Sequence, residues 1–216
     1  MSALFDPGQS PPLTRGPLPY VRVPTAEQLA AFVYESQAIE NAPTDQEHPE
    51  VRDHLRAAEW VVSGARGGVV RTPRMIHRRL MASSPEDWPG RYREVGVMVG
   101  GDVKMPWRGV PGAMGRLLRH ARQTHLNEIE PSEHLLWDLH HELEHIHPFR
   151  DGNGRTGRLW LNSLRLVYGF EWLTVWAAER SVYYARIRHY EQRVALGSGS
   201  YPPPSSAGRT VTRRRP

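Results

Sequence analysis

Along most of the chain, apolar residues recur at the three-to-four spacing of helices that bury one face. The first such run opens at Thr25, whose hydroxyl suits an N-cap, and Gln28 three residues on completes a capping-box pattern. Leu29, Phe32, Val33, Ser36, Ile39 and Glu40 keep the period, predicting a helix over 25–40 that Asn41, Ala42 and Pro43 stop. A second helix is predicted from Pro49 to Val62, with Val51, Leu55, Ala58 and Val62 on one face and Gly64, Gly67 and Gly68 closing it. A third begins at Thr72, with Pro73 in its first turn, and runs to Met81. Beyond a turn at 106–111, a helix over 112–125 leads to Pro131, which suits the start of the next. Leu135, Leu136, Leu139, Leu143 and Ile146 form that helix's apolar stripe. Pro148 cannot extend it and turns His147 away from helical geometry, so His147 is expected at its C-terminal end. Leu159, Trp160, Leu164 and Val167 predict a buried helix from Asn153 to Gly169, and a last helix is predicted over 179–196.

Only one stretch reads as extended chain. In RYREVGVMV, residues 91–99, Tyr92, Val95, Val97 and Val99 favour a strand, with Pro89-Gly90 before it and Gly100-Gly101 after it. An isolated strand or hairpin among helices must pair or offer its edge to a partner. The expected fold is therefore mainly α, with one small β element and no internal repeat.

The two ends break the helical pattern. Six prolines between Pro7 and Pro24 disfavour both helix and central strand, so residues 1–24 are expected to form a leader along the surface. The tail GSGSYPPPSSAGRTVTRRRP, residues 197–216, has no means of forming a core and is expected to be disordered. A length of 216 residues fits one main domain with such tails. The absence of cysteine excludes a disulfide framework, a thiol nucleophile and a thiolate zinc site. No apolar run is long enough to span a bilayer, and the N-terminus lacks the basic and apolar regions of a signal peptide. A cytoplasmic protein without a membrane partner is expected. Of the formal charge of +5, the tail arginines Arg209, Arg213, Arg214 and Arg215 carry four, leaving about +1 elsewhere. That balance argues against nucleic acid as a partner. The sequence leaves a homo-oligomer open.

Packing does not account for HPFRDGNGRTGR, residues 147–158. Phe149 is its only large apolar side chain, and Gly152, Gly154 and Gly157 would each weaken a regular element. Gly152, Asn153 and Gly154 fall where a helix begins, and a helix N-terminus offers free N–H donors and a favourable dipole to an anion. Arg155 and Arg158, three apart, share a face and suit successive phosphates. Asp151 supplies a hard carboxylate for Mg²⁺ between phosphate oxygens. His147 has the side chain for a general base near neutral pH. Together these residues suggest a nucleotide polyphosphate site.

Rival motifs fit less well. A Walker P-loop needs a Gly-Lys-Ser/Thr ending that is absent. Arg155, Thr156 and Asn162 occupy positions that reject an EF-hand. HELEH, residues 141–145, satisfies the H-E-x-x-H zinc-peptidase pattern, with His141 and His145 as ligands and Glu142 as base; zinc peptidase chemistry is the alternative from another class.

HPFRDGNGRTGR resembles in full the motif of the Fic family, H-x-F-x-[DE]-G-N-G-R-x-x-R, whose enzymes mostly transfer AMP from ATP to a hydroxyl side chain of a target protein. The lead-in LHHELEHI, the continuation GRLWLNSLRLVYGF and the later SVYYARI also look like the family core, so the resemblance covers residues 85–195 and absorbs HELEH as scaffold. It implies a Fic-type helical bundle with a β-hairpin flap beside the active site. Residues 1–24 would be the leader, 25–84 N-terminal helices, 85–196 the core and 197–216 the tail.

Carried over by position, the resemblance implies that His147 deprotonates a Ser, Thr or Tyr hydroxyl of the target, which attacks the α-phosphate of ATP. Asp151 would hold Mg²⁺; Gly152, Asn153 and Gly154 would bind phosphate oxygens; Arg155 would grip the β-phosphate side and Arg158 the γ-phosphate; Phe149 would anchor the loop. Gly154 separates the chain from the related Doc kinases, which carry Lys there, and favours AMP transfer over phosphate transfer. Residues 91–103 look like the flap, where Arg91, Tyr92, Arg93, Val95, Val97 and Val99 would dock an extended target segment by strand addition. Ser36, Glu40 and Asn41 fit the family's inhibitory pattern [ST]-x-x-x-E-[GN], in which Glu40 would occupy Arg158. Removal of AMP from a modified target, other nucleotidyl or phosphoryl transfer, and nucleotide binding without turnover are the alternatives at the same site.

Overall fold

The computed structural model describes residues 13–14, 21–125 and 131–196. Seven α-helices occur among them: α1 (Ala26–Ile39), α2 (Pro49–Arg66), α3 (Pro73–Leu80), α4 (Val110–His125), α5 (Glu133–Ile146), α6 (Asn153–Val167) and α7 (Arg180–Ala195). Two short antiparallel pairs complete the regular structure. β1 (Leu13–Thr14) pairs with β2 (Val69–Val70), and β3 (Met98–Val99) pairs with β4 (Asp102–Val103).

Every residue of α6 is buried, and α5, α2, α3 and α1 pack around it. Leu159, Trp160, Leu161, Leu164, Leu166 and Val167 point to all sides, the signature of a helix enclosed by its neighbours. One hydrophobic cluster runs through this packing, joining Phe32 and Val33 of α1 to Val61 of α2, Ile76 of α3, Leu117 of α4 and Leu139 of α5. Helices on both sides of residue 85 therefore share a core. A smaller cluster of Ile39, Tyr183 and Ile187 ties the end of α1 to α7.

The expected helices all form, with ends set by local chemistry. Thr25 caps α1 through a complete capping box, its Oγ1 accepting from the Gln28 N–H and its own N–H donating to the Gln28 side chain. α2 departs from expectation by running through Gly64 to Arg66. Gly64 is there for close packing rather than for a turn, since a Cβ would approach Arg71 Nε to 2.5 Å. Gly67 and Gly68, the latter at φ 68°, end the helix instead.

The strand expected over 91–99 is a correction. Only Met98–Val99 is strand; the Gly100-Gly101 turn, at φ 59° and 93°, returns the chain to Asp102–Val103. Within residues 91–97, buried Arg93 bonds to the turn after α5, while the Arg91 N–H donates to Trp88 O and Val97 O accepts from the Lys104 N–H. Within the leader, Leu13–Thr14 pairs with β2. The rest of residues 1–20 and the tail 197–216 lie outside the described residues, so the leader and tail expectations fall there. No helix of the described residues is long and apolar enough to cross a membrane.

Candidate active site

The turn between α5 and α6 brings the motif together. Pro148 ends α5, and His147 closes the helix in left-handed conformation at φ 50°, its N–H donating to Leu143 O at 2.9 Å. Such a φ is uncommon outside glycine and asparagine, so the surroundings must impose it. Arg93 imposes it. Its Nε donates to His147 O at 2.8 Å, its backbone N–H to Pro148 O at 2.9 Å, and its second guanidinium nitrogens to Val95 O at 2.8 Å and Met105 O at 2.7 Å. Arg93 is 1% exposed. It is therefore a bracket for His147 and for the feet of the hairpin, not a residue on a free docking edge, and nothing in its sequence context marks it as such.

The His147 ring hydrogen-bonds the backbone carbonyl of Glu144, which leaves its other nitrogen free to accept a proton. Burial first, then the charges of Lys104 and Arg93, push its pKa down to about 4 against the Glu144 carbonyl and Glu40. The ring is neutral at physiological pH.

Phe149 is fully buried and stacks on His77 with centroids 3.8 Å apart. His77, which the sequence did not single out, accepts from the Gly90 N–H through Nδ1 at 2.7 Å and donates from Nε2 to Asp151 O at 3.1 Å. Asn153 clamps the turn with both ends of its amide, Oδ1 accepting from Phe149 N at 2.8 Å and Nδ2 donating to Phe149 O at 2.9 Å. Its side chain is thus engaged in the loop. What it offers an anion is its N–H, in the first turn of α6, where N–H groups lack an in-helix acceptor. Gly152 caps this helix at φ 70°, and a Cβ there would stand 3.0 Å from Met81 Sδ.

Arg155 and Arg158 share a face, as expected, but that face is covered by α1 and α2. Arg155, 3% exposed, donates to Gln37 Oε1 at 3.1 Å, Glu50 Oε2 at 2.8 Å and Asp151 Oδ2 at 3.0 Å. Arg158, 1% exposed, donates to Ser36 Oγ, Ser36 O and Glu40 Oε1, each at 2.9 Å. Neither is an open clamp. Ser36, Glu40 and Asn41 all take part at this end of α1. Glu40 is its C-cap, and Asn41 follows at φ 54°, which explains why Gly or Asn suits that position. The Glu40 carboxylate lies so close to Gly154 that a Cβ there would overlap Oε1. Glu144, buried beneath Gly157, is pushed up to about 8 by desolvation first, with Glu40 and Glu191 adding and Arg158 and Lys104 opposing. It is protonated at neutral pH.

His147, Asp151, Gly152, Asn153, Gly154 and Glu40 line one cleft of about 490 Å³, closed on one side by the β3–β4 hairpin and on another by α7. Asp151, with a side chain 64% exposed, presents a hard oxygen there that fits a divalent cation shared with phosphate. No group of three His, Asp or Glu among the described residues could hold a metal ion alone. The HELEH zinc site is not assembled: His141 packs on Trp137 and Tyr190, while His145 faces Glu191 of α7. Of the expected flap residues, Val95 and Val99 are exposed, at 44% and 37%, and Arg91 is exposed beyond the hairpin and pairs with Asp87. Tyr92 and Val97 are partly buried. Met98 and Val103 add apolar surface to the hairpin itself, at 66% and 77% exposure.

Residues 71–164 match the family model described as "Fic/DOC family". The Protein adenylyltransferase Fic of Drosophila erecta is 34% identical over 109 residues, which cover 50% of the chain and 22% of that protein. The chain thus spans about a fifth of the length of the curated relatives it matches. Among solved structures, a Fic domain containing signaling protein from Bacteroides thetaiotaomicron superposes with a TM-score of 0.67 at 20% identity, covering 77% of this chain and 73% of that one. Fic-1 from C. elegans gives a TM-score of 0.61 at 21% identity, with coverage of 81% and 58%. These likenesses show a shared fold.

Proposed function

Given that the chain belongs to the Fic/DOC family through residues 71–164, we propose that it is a protein adenylyltransferase, moving AMP from ATP to a hydroxyl of a target protein. The observation that carries this is the placement of a neutral His147 and the first turn of α6 on one cleft. An acceptor hydroxyl and a polyphosphate can meet there.

His147, its ring oriented by the Glu144 carbonyl, takes the proton from the target hydroxyl. The hydroxyl oxygen bonds to the α-phosphorus as the bond to the bridging oxygen breaks, and pyrophosphate leaves with the electron pair. The N–H groups at 152–154 receive the charge that grows on the phosphate oxygens, where preorganised donors contribute most. Asp151 would hold Mg²⁺, which supplies charge neutralisation along the polyphosphate when bound. Arg158 would bind the γ-phosphate once Glu40 leaves it, and Arg155 steadies Asp151. The exposed hairpin edge lays an extended target segment past His147 by strand addition.

In the inhibited state, Glu40 and the γ-phosphate compete for one guanidinium, so ATP binds weakly. The test is intact-protein mass spectrometry of the Glu40→Gly variant incubated with Mg²⁺ and each nucleoside triphosphate in turn. Addition of AMP that His147→Ala abolishes is the expected result. Addition of UMP or phosphate, or no addition with any nucleotide, would overturn the assignment.

A further inference from the structure

Lys104 is the only lysine among the 28 basic residues of the chain. It directly follows β4, and its backbone N–H donates to Val97 O at 3.1 Å, closing the hairpin. Its side chain, 9% exposed, turns inward and places Nζ 2.5 Å from Glu191 Oε1 on α7. The same oxygen stands 3.5 Å from His145 Nδ1, an ion-pair distance, on the helix that ends at His147 two residues later. One carboxylate therefore touches the hairpin, the base-bearing helix and α7.

The hairpin has little else to hold it. Its strands are two residues long and carry exposed Met98, Val99 and Val103, so no apolar face docks it onto the core. Arg93 grips its feet through Val95 O and Met105 O, which leaves the return strand to Lys104. Exposed ion pairs contribute little, but this one is largely withdrawn from solvent, with Glu191 at 20% exposure, and is correspondingly less screened. His145 first, then Lys104, holds the Glu191 carboxyl down at about 2 against the cost of burial, so the carboxylate stays charged throughout the physiological range.

We propose that Lys104, Glu191 and His145 form a positioning cluster that registers the hairpin against His147, so that a hydroxyl carried on a strand paired to the hairpin arrives at the base. The inference rests on the adenylyltransferase assignment, because registration matters only if an acceptor segment is laid along the hairpin. Its chemical logic is orientation: a displacement of about 1 Å between acceptor and base can cost on the order of a hundredfold in rate. A lysine suits the position because its compact ammonium fits beneath a two-residue strand, where a planar guanidinium needs more room.

The test is hydrogen exchange by mass spectrometry on the full chain, comparing Lys104→Met, Glu191→Gln and the double variant with the unaltered protein. Exchange in peptides covering 94–106 should rise by about fivefold or more in each single variant, with α2 and α6 unchanged and no further rise in the double variant. Lys104→Arg should restore part of the protection. In the Glu40→Gly background, self-labelling from α-labelled ATP should fall about tenfold or more in turnover, with the calorimetric affinity for Mg²⁺-ATP held within about twofold. Unchanged hairpin exchange in both single variants, or effects that add in the double, would overturn the cluster. Loosened hairpins together with no labelling in the Glu40→Gly parent would instead remove the adenylyltransferase assignment while leaving the tether in place.

Discussion

Replacing Glu40 by glycine tests the proposed lock at its weakest and strongest points together. Arg158 is 1% exposed and, among the described residues, donates to one carboxylate, that of Glu40, at 2.9 Å; Ser36 Oγ, Ser36 O and Tyr183 Oη, at 2.9, 2.9 and 3.4 Å, are neutral acceptors. Stripping one partner from a fully buried pair costs about 3–5 kcal/mol. Here the cost is smaller, because the Glu40 side chain is 29% exposed, water can enter its place and Ser36 remains. A loss of about 1–2 kcal/mol follows, or roughly 3–6 °C in Tm for a chain of this size.

The same substitution should strengthen nucleotide binding. A γ-phosphate that gains the freed guanidinium gains a charge-assisted contact of about 1.5–3 kcal/mol, or roughly a ten- to hundredfold tighter Kd for Mg²⁺-ATP. Because one guanidinium serves both partners, the two effects are linked. Saturating ATP should recover the lost Tm in the variant and move the unaltered protein much less. Calorimetry, thermal denaturation with and without Mg²⁺-ATP, and labelling from α-labelled ATP read the three quantities. If Tm falls while ATP affinity and labelling stay as in the unaltered protein, Glu40 is a structural partner of Arg158 and the lock is refuted.

His147→Ala should lower labelling in the Glu40→Gly background by about a hundredfold or more while ATP binding persists. With the His147 pKa near 4, that background should label at a rate showing no inflection around pH 6.5; a step there would mean that the base is solvated. His54, His77, His140 and His141 are also buried and held below the ordinary histidine value by desolvation, His77 and His141 to about 4. Because their folded values lie below about 6.5, the unfolded chain takes up protons first, so stability is full above that pH and falls as pH drops toward 4. At pH 5 His77 and His141 each cost about 2 kcal/mol, and urea unfolding at pH 7.5, 6 and 5 should show the decline; constant stability would refute it. Glu144 runs the opposite way. With a folded value near 8, its contribution is full below about 4.3 and lost as pH rises to 8. Glu144→Gln should thus stabilise the protein on the order of 3 kcal/mol at pH 7.5 and hardly at all at pH 4.5, as equilibrium unfolding would measure.

Elements governed by neighbouring residues were legible in the sequence. The capping box at Thr25 and Gln28 and the apolar period to Ile39 predict α1 within a residue, and Pro148 alone places His147 at a helix end. The partnership of Glu40 with Arg158 spans 118 positions and was legible only through the resemblance to an inhibitory pattern. Contacts decided by what covers a face were not legible. A helical wheel puts Arg155 and Arg158 on one side of α6, but nothing local says that Glu50 and Gln37 close over Arg155. Arg93 misled for a related reason. In an extended stretch, alternation implies a face only if the stretch pairs as a strand, and Arg93 bonds to the turn after α5 instead.

The burial of α6 bears on how the lock would open. A helix enclosed on all sides carries Arg155, Arg158 and Arg165, and each needs a carboxylate from another element: Glu50 for the first, Glu40 for the second and Glu133 for the third. The helix that carries the proposed lock is therefore also part of the core. Phe32 and Val33 are almost fully buried, and withdrawing them would forfeit on the order of 2 kcal/mol each, besides stranding the guanidinium of Arg158. Opening by departure of α1 thus competes with unfolding. Glu40 is placed differently: it is the C-cap just past the last residue of the helix, its side chain is the part that reaches the cleft, and Asn41 beyond it already leaves the helical path. Rotation of that one side chain would free Arg158 while Ser36 stays bonded to it, so under the proposed lock a triphosphate would displace a carboxylate and not a helix.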